Sequence, residues 1–285
     1  MPSLLTKRKA KWVAQRKPQG IRGAPLNNPT VLEVRYAQKL DKLVAQMTDH
    51  VEKEIRKLFD TEHAEEYFET AQDASVSSQA RILTNALMKK INGMFAKWAQ
   101  PIAEQQVNDI DKASSSSVHA SLKEMSGGLS LPTTALTSDM KQVLKASVIE
   151  NVSLIKSISV EYLGGVQQAV MRSITTGRGL ADLVPYLQKS KEITQRRAVM
   201  IARDQTRKSY NALNKARMQK LGLSRYEWLH TGGSSHPRQL HINYSGKVFD
   251  FSDPPIIVPE TGERGIPGQA INCRCRMRPV IEFQE

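Results

Sequence analysis

The stretch TQRRAVMIARDQTRKSYNALNKARMQKLGLSRYEWLHTG, residues 194–232, changes its hydrophobic period partway along. Up to Leu221, Ala198, Ile201, Ala202, Ser209, Ala212, Leu213 and Ala216 form one small-residue face of a helix. Arg196, Arg197, Arg203, Arg207, Lys208 and Lys215 fall elsewhere on the same cylinder. Gly222 is the natural stop, because glycine takes the left-handed C′ conformation without a Cβ clash. From Arg225 the period becomes two: RYEWLHTG at 225–232, GKVFDF at 246–251 and CRCRMRPVIEF at 273–283 read as strands. Gly232-Gly233, Pro254-Pro255, Gly262, Gly265 and Pro267-Gly268 separate them.

Upstream the signal is helical throughout. Val31, Val34, Leu40, Leu43, Val44, Met47, Val51, Ile55 and Leu58 form one stripe, so residues 31–59 predict a helix with Glu52 and Arg56 paired outside. A second helical region covers about 75–111, with Pro101 expected to break or kink it. Ser114 to Ser117, Gly127, Gly128 and Pro132 read as a loop. Ser138 is the expected N-cap of a third helix, with Gly164-Gly165 interrupting it and Gly177 and Gly179 ending it. Leu180 to Leu187 reads as a short separate helix.

The expected fold is therefore α+β: an elongated helical N-terminal region, then a smaller α+β C-terminal domain with a short antiparallel sheet. The expected division is a basic flexible arm at 1–30, a helical region at 31–176 and a C-terminal domain at 177–285. No apolar run reaches the roughly 18 residues of a membrane span, and no apolar stretch follows the basic N-terminus as in a secretory signal. Two cysteines make no disulfide framework, so assembly in a reducing interior is the default.

The net charge of +13 is uneven. Residues 1–25 carry seven basic side chains (Lys7, Arg8, Lys9, Lys11, Arg16, Lys17 and Arg22) and no acidic one. Residues 177–285 hold 18 basic and 10 acidic side chains, and the stretch between is slightly acidic. Basic ends point to a polyanion, and double-stranded DNA held by charge without sequence preference is the partner this predicts. The candidate contacts are Lys7, Arg8, Lys9, Lys11, Arg16 and Lys17 on the arm, and Arg196, Arg197, Arg203, Arg207, Lys208 and Lys215 on the helix. The apolar stripes of 31–176 suit self-association or docking on a partner.

Side chains able to do chemistry gather in the last 60 residues. HPRQLH supplies His236 and His241, and CRC supplies Cys273 and Cys275. Residues two apart on a strand share a face, so the two thiols point together and Arg274 and Arg276 point the other way. Two readings stand. The thiols are small core side chains, or with His236 and His241 they make a tetrahedral structural zinc set. A disulfide between strand positions i and i+2 is disfavoured by reach. A metal-dependent enzyme acting on nucleic acid through this cluster is the alternative, with Asp250, Asp253, Glu260 and Glu263 as possible partners of His241. No phosphate-binding glycine loop is present, and no cysteine is singled out as a nucleophile.

The ordered motifs IARDQTRKSYNALNKARMQKLG, YEWLHTGG, RQLHINYSGKVF and PGQAINCRCRMRPV resemble the phage head morphogenesis family, typified by the minor head protein F of phage Mu. The resemblance covers roughly residues 177–283. Its residues are Asn211, Trp228, Arg238, His241, Gly246, Pro267, Gly268, Asn272, Cys273, Arg274 and Cys275. Where the family often has an acidic residue and an arginine before Arg-x-x-His, this chain reads Ser234, Ser235, His236, which puts the weight on His241. The resemblance implies a low-copy minor capsid protein without enzymatic activity. Such a protein lies inside the head near the portal vertex of the virion, and in the host cytoplasm during assembly. It implies the portal and other head proteins as partners, with roles in procapsid assembly and in DNA packaging or ejection.

Overall fold

A computed structural model describes residues 20–59, 76–232 and 236–281. Among these, four long helices and one short one accompany six strands: β1 (Ile21–Arg22), α1 (Thr30–Leu58), α2 (Val76–Met125), α3 (Ser138–Thr175), α4 (Leu180–Lys220), β2 (Arg225–Leu229), α5 (Gln239–Asn243), β3 (Val248–Asp250), β4 (Ile256–Val258), β5 (Glu263–Arg264) and β6 (Arg276–Ile281). The fold is α+β, as the change of period predicts. No helix among the described residues is long and apolar enough to cross a membrane.

The chain forms two compact units, and neither is a single sequence segment. One comprises residues 29–111 and 142–209; the other comprises 1–28, 112–141 and 210–285. These units divide the chain elsewhere than the expected border at 176/177. Helices α2 and α4 each continue from one unit into the other, so no linker marks the border. Residues 20–30 of the expected arm belong to the fold. Ile21 and Arg22 pair with Ile281 and Val280, Leu26 bridges Met277 and is fully buried, and Thr30 already begins α1. Lys7, Arg8, Lys9, Lys11, Arg16 and Lys17 lie outside the described residues.

The helical unit is built on apolar spacings of three and four. Tyr36, Leu40, Val44, Met47, Val51 and Ile55 of α1 meet Leu83, Leu87, Ile91, Phe95 and Ala99 of α2, with Ile155, Ile158, Leu163 and Val166 of α3 and Leu183, Leu187 and Ala198 of α4. Polar groups inside it are satisfied. The Tyr36 hydroxyl donates to Asn151 Oδ1 at 2.8 Å, and burial raises its pKa well above the ordinary tyrosine range. Arg207 donates through Nε and Nη2 to the two oxygens of Glu33 at 2.7 Å each, with both side chains 7% exposed.

Helices α2, α3 and α4 differ from expectation in their boundaries. Helix α2 runs through Pro101 and through the serine run to Met125. Ser114 is fully buried and donates to Asn214 Oδ1 at 2.7 Å, while Arg217 Nη1 donates to Ser114 Oγ at 2.8 Å. Partners on α4 thus occupy the hydroxyl that would otherwise compete with the helix backbone. Helix α3 passes through Gly164-Gly165, where a Cβ at Gly165 would sit 2.6 Å from the Tyr186 hydroxyl, so glycine serves close approach there. Its cap is Thr137 rather than Ser138, the Thr137 hydroxyl accepting from the Met140 N–H at 3.2 Å. The two helices expected between 180 and 221 are one, with Pro185 in its second turn.

The sheet of the second unit is antiparallel in the order β1-β6-β2-β3, and β4 and β5 form a separate two-stranded ribbon. Arg225 faces Val280, Trp228 faces Met277 and Leu229 faces Arg276 across β2 and β6. Tyr226, Trp228 and Met277 point into a core completed by Val118, Leu122, Met218, Phe251, Ile257 and Ile266. Glu227, on the opposite face, pairs with Arg22 at 3.0 Å and Arg278 at 3.5 Å.

Candidate functional site: a histidine and cysteine cluster

Cys273 and Cys275 come just before β6 rather than on it, because the strand begins at Arg276. The extended alternation survives the short offset: Cys273 and Cys275 are buried and Arg274 between them is half-buried. The preceding turn sets them there. Gly268 and Asn272 take left-handed φ values of 84° and 58°, Ile266 N–H donates to Gln269 Oε1 at 2.8 Å, and Cys273 N–H donates to Ala270 O at 2.9 Å. Asn is among the residues that tolerate this conformation best.

His241 enters from α5 and is 2% exposed. Its Nε2 lies 3.0 Å from the Ile257 carbonyl oxygen and donates to it, because a carbonyl only accepts. Its Nδ1, the bare nitrogen when the imidazole is neutral, lies 3.4 Å from Cys273 Sγ and 3.8 Å from Cys275 Sγ. The Trp228 ring packs edge-on against the imidazole at 5.1 Å between centroids. The three donor atoms of His241, Cys273 and Cys275 all lie within 4.8 Å of one another. The hydrogen bond with the Cys275 thiol holds the Cys273 thiol well below its ordinary range, and that same contact, aided by burial, pushes Cys275 up.

His236 is exposed and is not part of this group. The histidine that is near is His230, whose Nδ1 lies 3.6 Å from Cys275 Sγ. The sequence carried a signal for it. With Leu229 opposite Arg276 in the ladder, the next residue of each strand end is His230 and Cys275. Recognising that requires the register of β2 against β6, which alternation within one strand does not supply.

The motif residues divide between this cluster and its frame. Trp228 and Asn211 are fully buried, Pro267 and Gly268 are buried in the turn, and Gly246 (φ 82°) donates its N–H to Trp228 O at 2.8 Å. Arg238 stands at the N-terminal end of α5 and is exposed, and the Arg274 carbonyl accepts from Asn28 Nδ2 at 3.0 Å.

Of the helix cations expected to face DNA, Arg207 is withdrawn, because its guanidinium is buried against Glu33. Arg197 donates to Ser157 Oγ and pairs with Glu161, and burial lowers its pKa. Lys208 pairs with Asp204 at 3.0 Å, and Lys215 lies 5.9 Å from the Phe251 ring centroid. Arg196 is exposed beside Glu192 and Arg203 is half-buried. A helical wheel places a charge off the small-residue face without showing that a carboxylate from another helix waits there.

The helix that leads into this small antiparallel sheet, and the sheet with its buried histidine and cysteines, fall within the match to one family. Residues 164–278, from the end of α3 into β6, match the family described as Phage Mu protein F like protein, which bears out the resemblance to the phage head morphogenesis family. Over 254 residues the chain is 29% identical to an uncharacterized protein of Haemophilus influenzae, the alignment covering 89% of this chain and 54% of that relative. The chain thus spans about half the length of that relative. No solved structure matches it.

Proposed function

We propose that this chain is a minor head protein of a phage, internal to the capsid and associated with the portal, acting in procapsid assembly and in DNA packaging or ejection. The match over residues 164–278 carries the reading. The cluster supports a role without catalysis: His241, Cys273 and Cys275 are each at most 3% exposed, and a catalytic metal centre keeps an open position for substrate. The helical unit, with Val31 and Val34 exposed on α1 and Ile149 and Val160 on α3, is the surface for self-association or portal docking. Heads assembled with and without the chain test the function. It is expected in purified procapsids together with the portal protein, and its omission is expected to lower the yield of DNA-filled heads. Full yield without it would overturn the reading.

DNA binding in this account rests on Lys7, Arg8, Lys9, Lys11, Arg16 and Lys17 and on Arg196 and Arg203. Retention of any duplex sequence is expected to weaken by orders of magnitude over about a fourfold rise in salt. Deleting residues 1–19, which leaves β1 in place, is expected to weaken it equally for all sequences. Salt-insensitive retention, or none at low salt, would contradict this part.

A further inference from the structure

We propose that His230, His241, Cys273 and Cys275 bind one structural zinc ion, with His230 rather than His236 as the second histidine. Two thiolates and two imidazoles are a donor set zinc favours, and soft sulfur disfavours magnesium and calcium. In a tetrahedral site with Zn–S about 2.3 Å and Zn–N about 2.0–2.1 Å, sulfur and nitrogen ligands stand about 3.6 Å apart. The sulfur–nitrogen separations here are 3.4, 3.6 and 3.8 Å.

The surroundings are those of ligands. His241 donates Nε2–H to the Ile257 carbonyl, the outer contact that fixes a ligating imidazole with its other nitrogen bare. That nitrogen has one lone pair and faces two sulfurs. It can accept only one S–H bond, whereas an ion between them engages all three atoms. The sulfurs also receive N–H groups. The Cys275 backbone N–H faces Cys273, and the Thr231 backbone N–H faces Cys275. The Trp228 indole N–H beside them is fully buried and meets no partner of ordinary geometry. His230 reaches only Cys275 and is half-buried, so it is the ligand that turns inward to close the site.

The test uses the full chain purified without chelator. Elemental analysis is expected to find about one zinc per chain. After stripping, cobalt(II) is expected to give the visible bands of a tetrahedral ion and a near-ultraviolet thiolate charge-transfer band. His230→Ala, at a half-buried position, is expected to keep the fold, to weaken zinc binding at least about tenfold and to shift the cobalt bands. His236→Ala is expected to change neither. A chain without zinc and without a tetrahedral cobalt spectrum would overturn the site. A His230→Ala protein that binds as the parent does would overturn the assignment of its fourth ligand. These readouts do not depend on head assembly, so they stand or fall apart from the proposed function.

Discussion

The helical unit and the sheet unit close their cores by different means. The helical unit has four long helices contributing one continuous cluster of apolar side chains, and within it Leu40, Val44, Val51 and Ile155 are each one contact among many. The sheet unit has strands of two to six residues, and its core collects one or two residues each from the chain after β1, from α2, α4 and β2, from the turns and from the approach to β6. Small sheets bury too little area to be held by area alone. There, stability passes to a few specific side chains, and Trp228, His241, Cys273 and Cys275 are those residues. The difference teaches where substitutions are tolerated: broadly in the first unit, narrowly in the second.

The largest break in that contrast is the Cys273→Ser, Cys275→Ser double variant. If the cluster holds zinc, the loss approaches the whole stability of a small domain, about 5 kcal/mol or more. Denaturant unfolding followed by fluorescence in a Trp12→Phe, Trp98→Phe background, where Trp228 alone reports, measures it, and an unchanged midpoint would remove the cluster from any structural role. The counterpart in the helical unit is Glu33→Ala, which leaves the Arg207 guanidinium buried without its carboxylate partner. The expected cost is about 3–5 kcal/mol. Replacing Glu33 and Arg207 together by apolar residues of similar volume is expected to recover most of it, because the desolvation of both ions disappears.

The smallest effect separates two adjacent glycines of α3. A Cβ at Gly164 meets nothing within 4 Å, whereas one at Gly165 meets the Tyr186 hydroxyl at 2.6 Å. Gly164→Ala is expected to raise stability by up to about 1 kcal/mol through helix propensity. Gly165→Ala is expected to fall short of it, because Tyr186 must move aside. Equal melting temperatures for the two variants would show that Tyr186 does not constrain α3.

The sequence made the α+β order, the α1 stripe and the Gly222 stop legible, since each depends on neighbours along the chain. It did not make the units legible. Ser114 reads as loop until Asn214 and Arg217 are seen against it, about 100 residues away. Ile21, in a stretch rich in glycine and proline, reads as an arm until Ile281 is found beside it. Within the cluster, Cys273, Cys275 and His241 stood out by residue type and motif order. His230 did not, because only strand register puts it near Cys275. Arg207 was misread for the matching reason: a buried carboxylate 174 positions away leaves no mark on the helix that carries it.

Hydrogen exchange on the full-length double serine variant tests the central contrast most directly. The amides of β2, β3 and β6 are expected to lose most of their protection, while those of α1 and of α3 from residue 142 keep theirs. Equal loss in both units, or protection as in the parent throughout, would contradict the claim that the cluster rather than apolar area holds the sheet unit together.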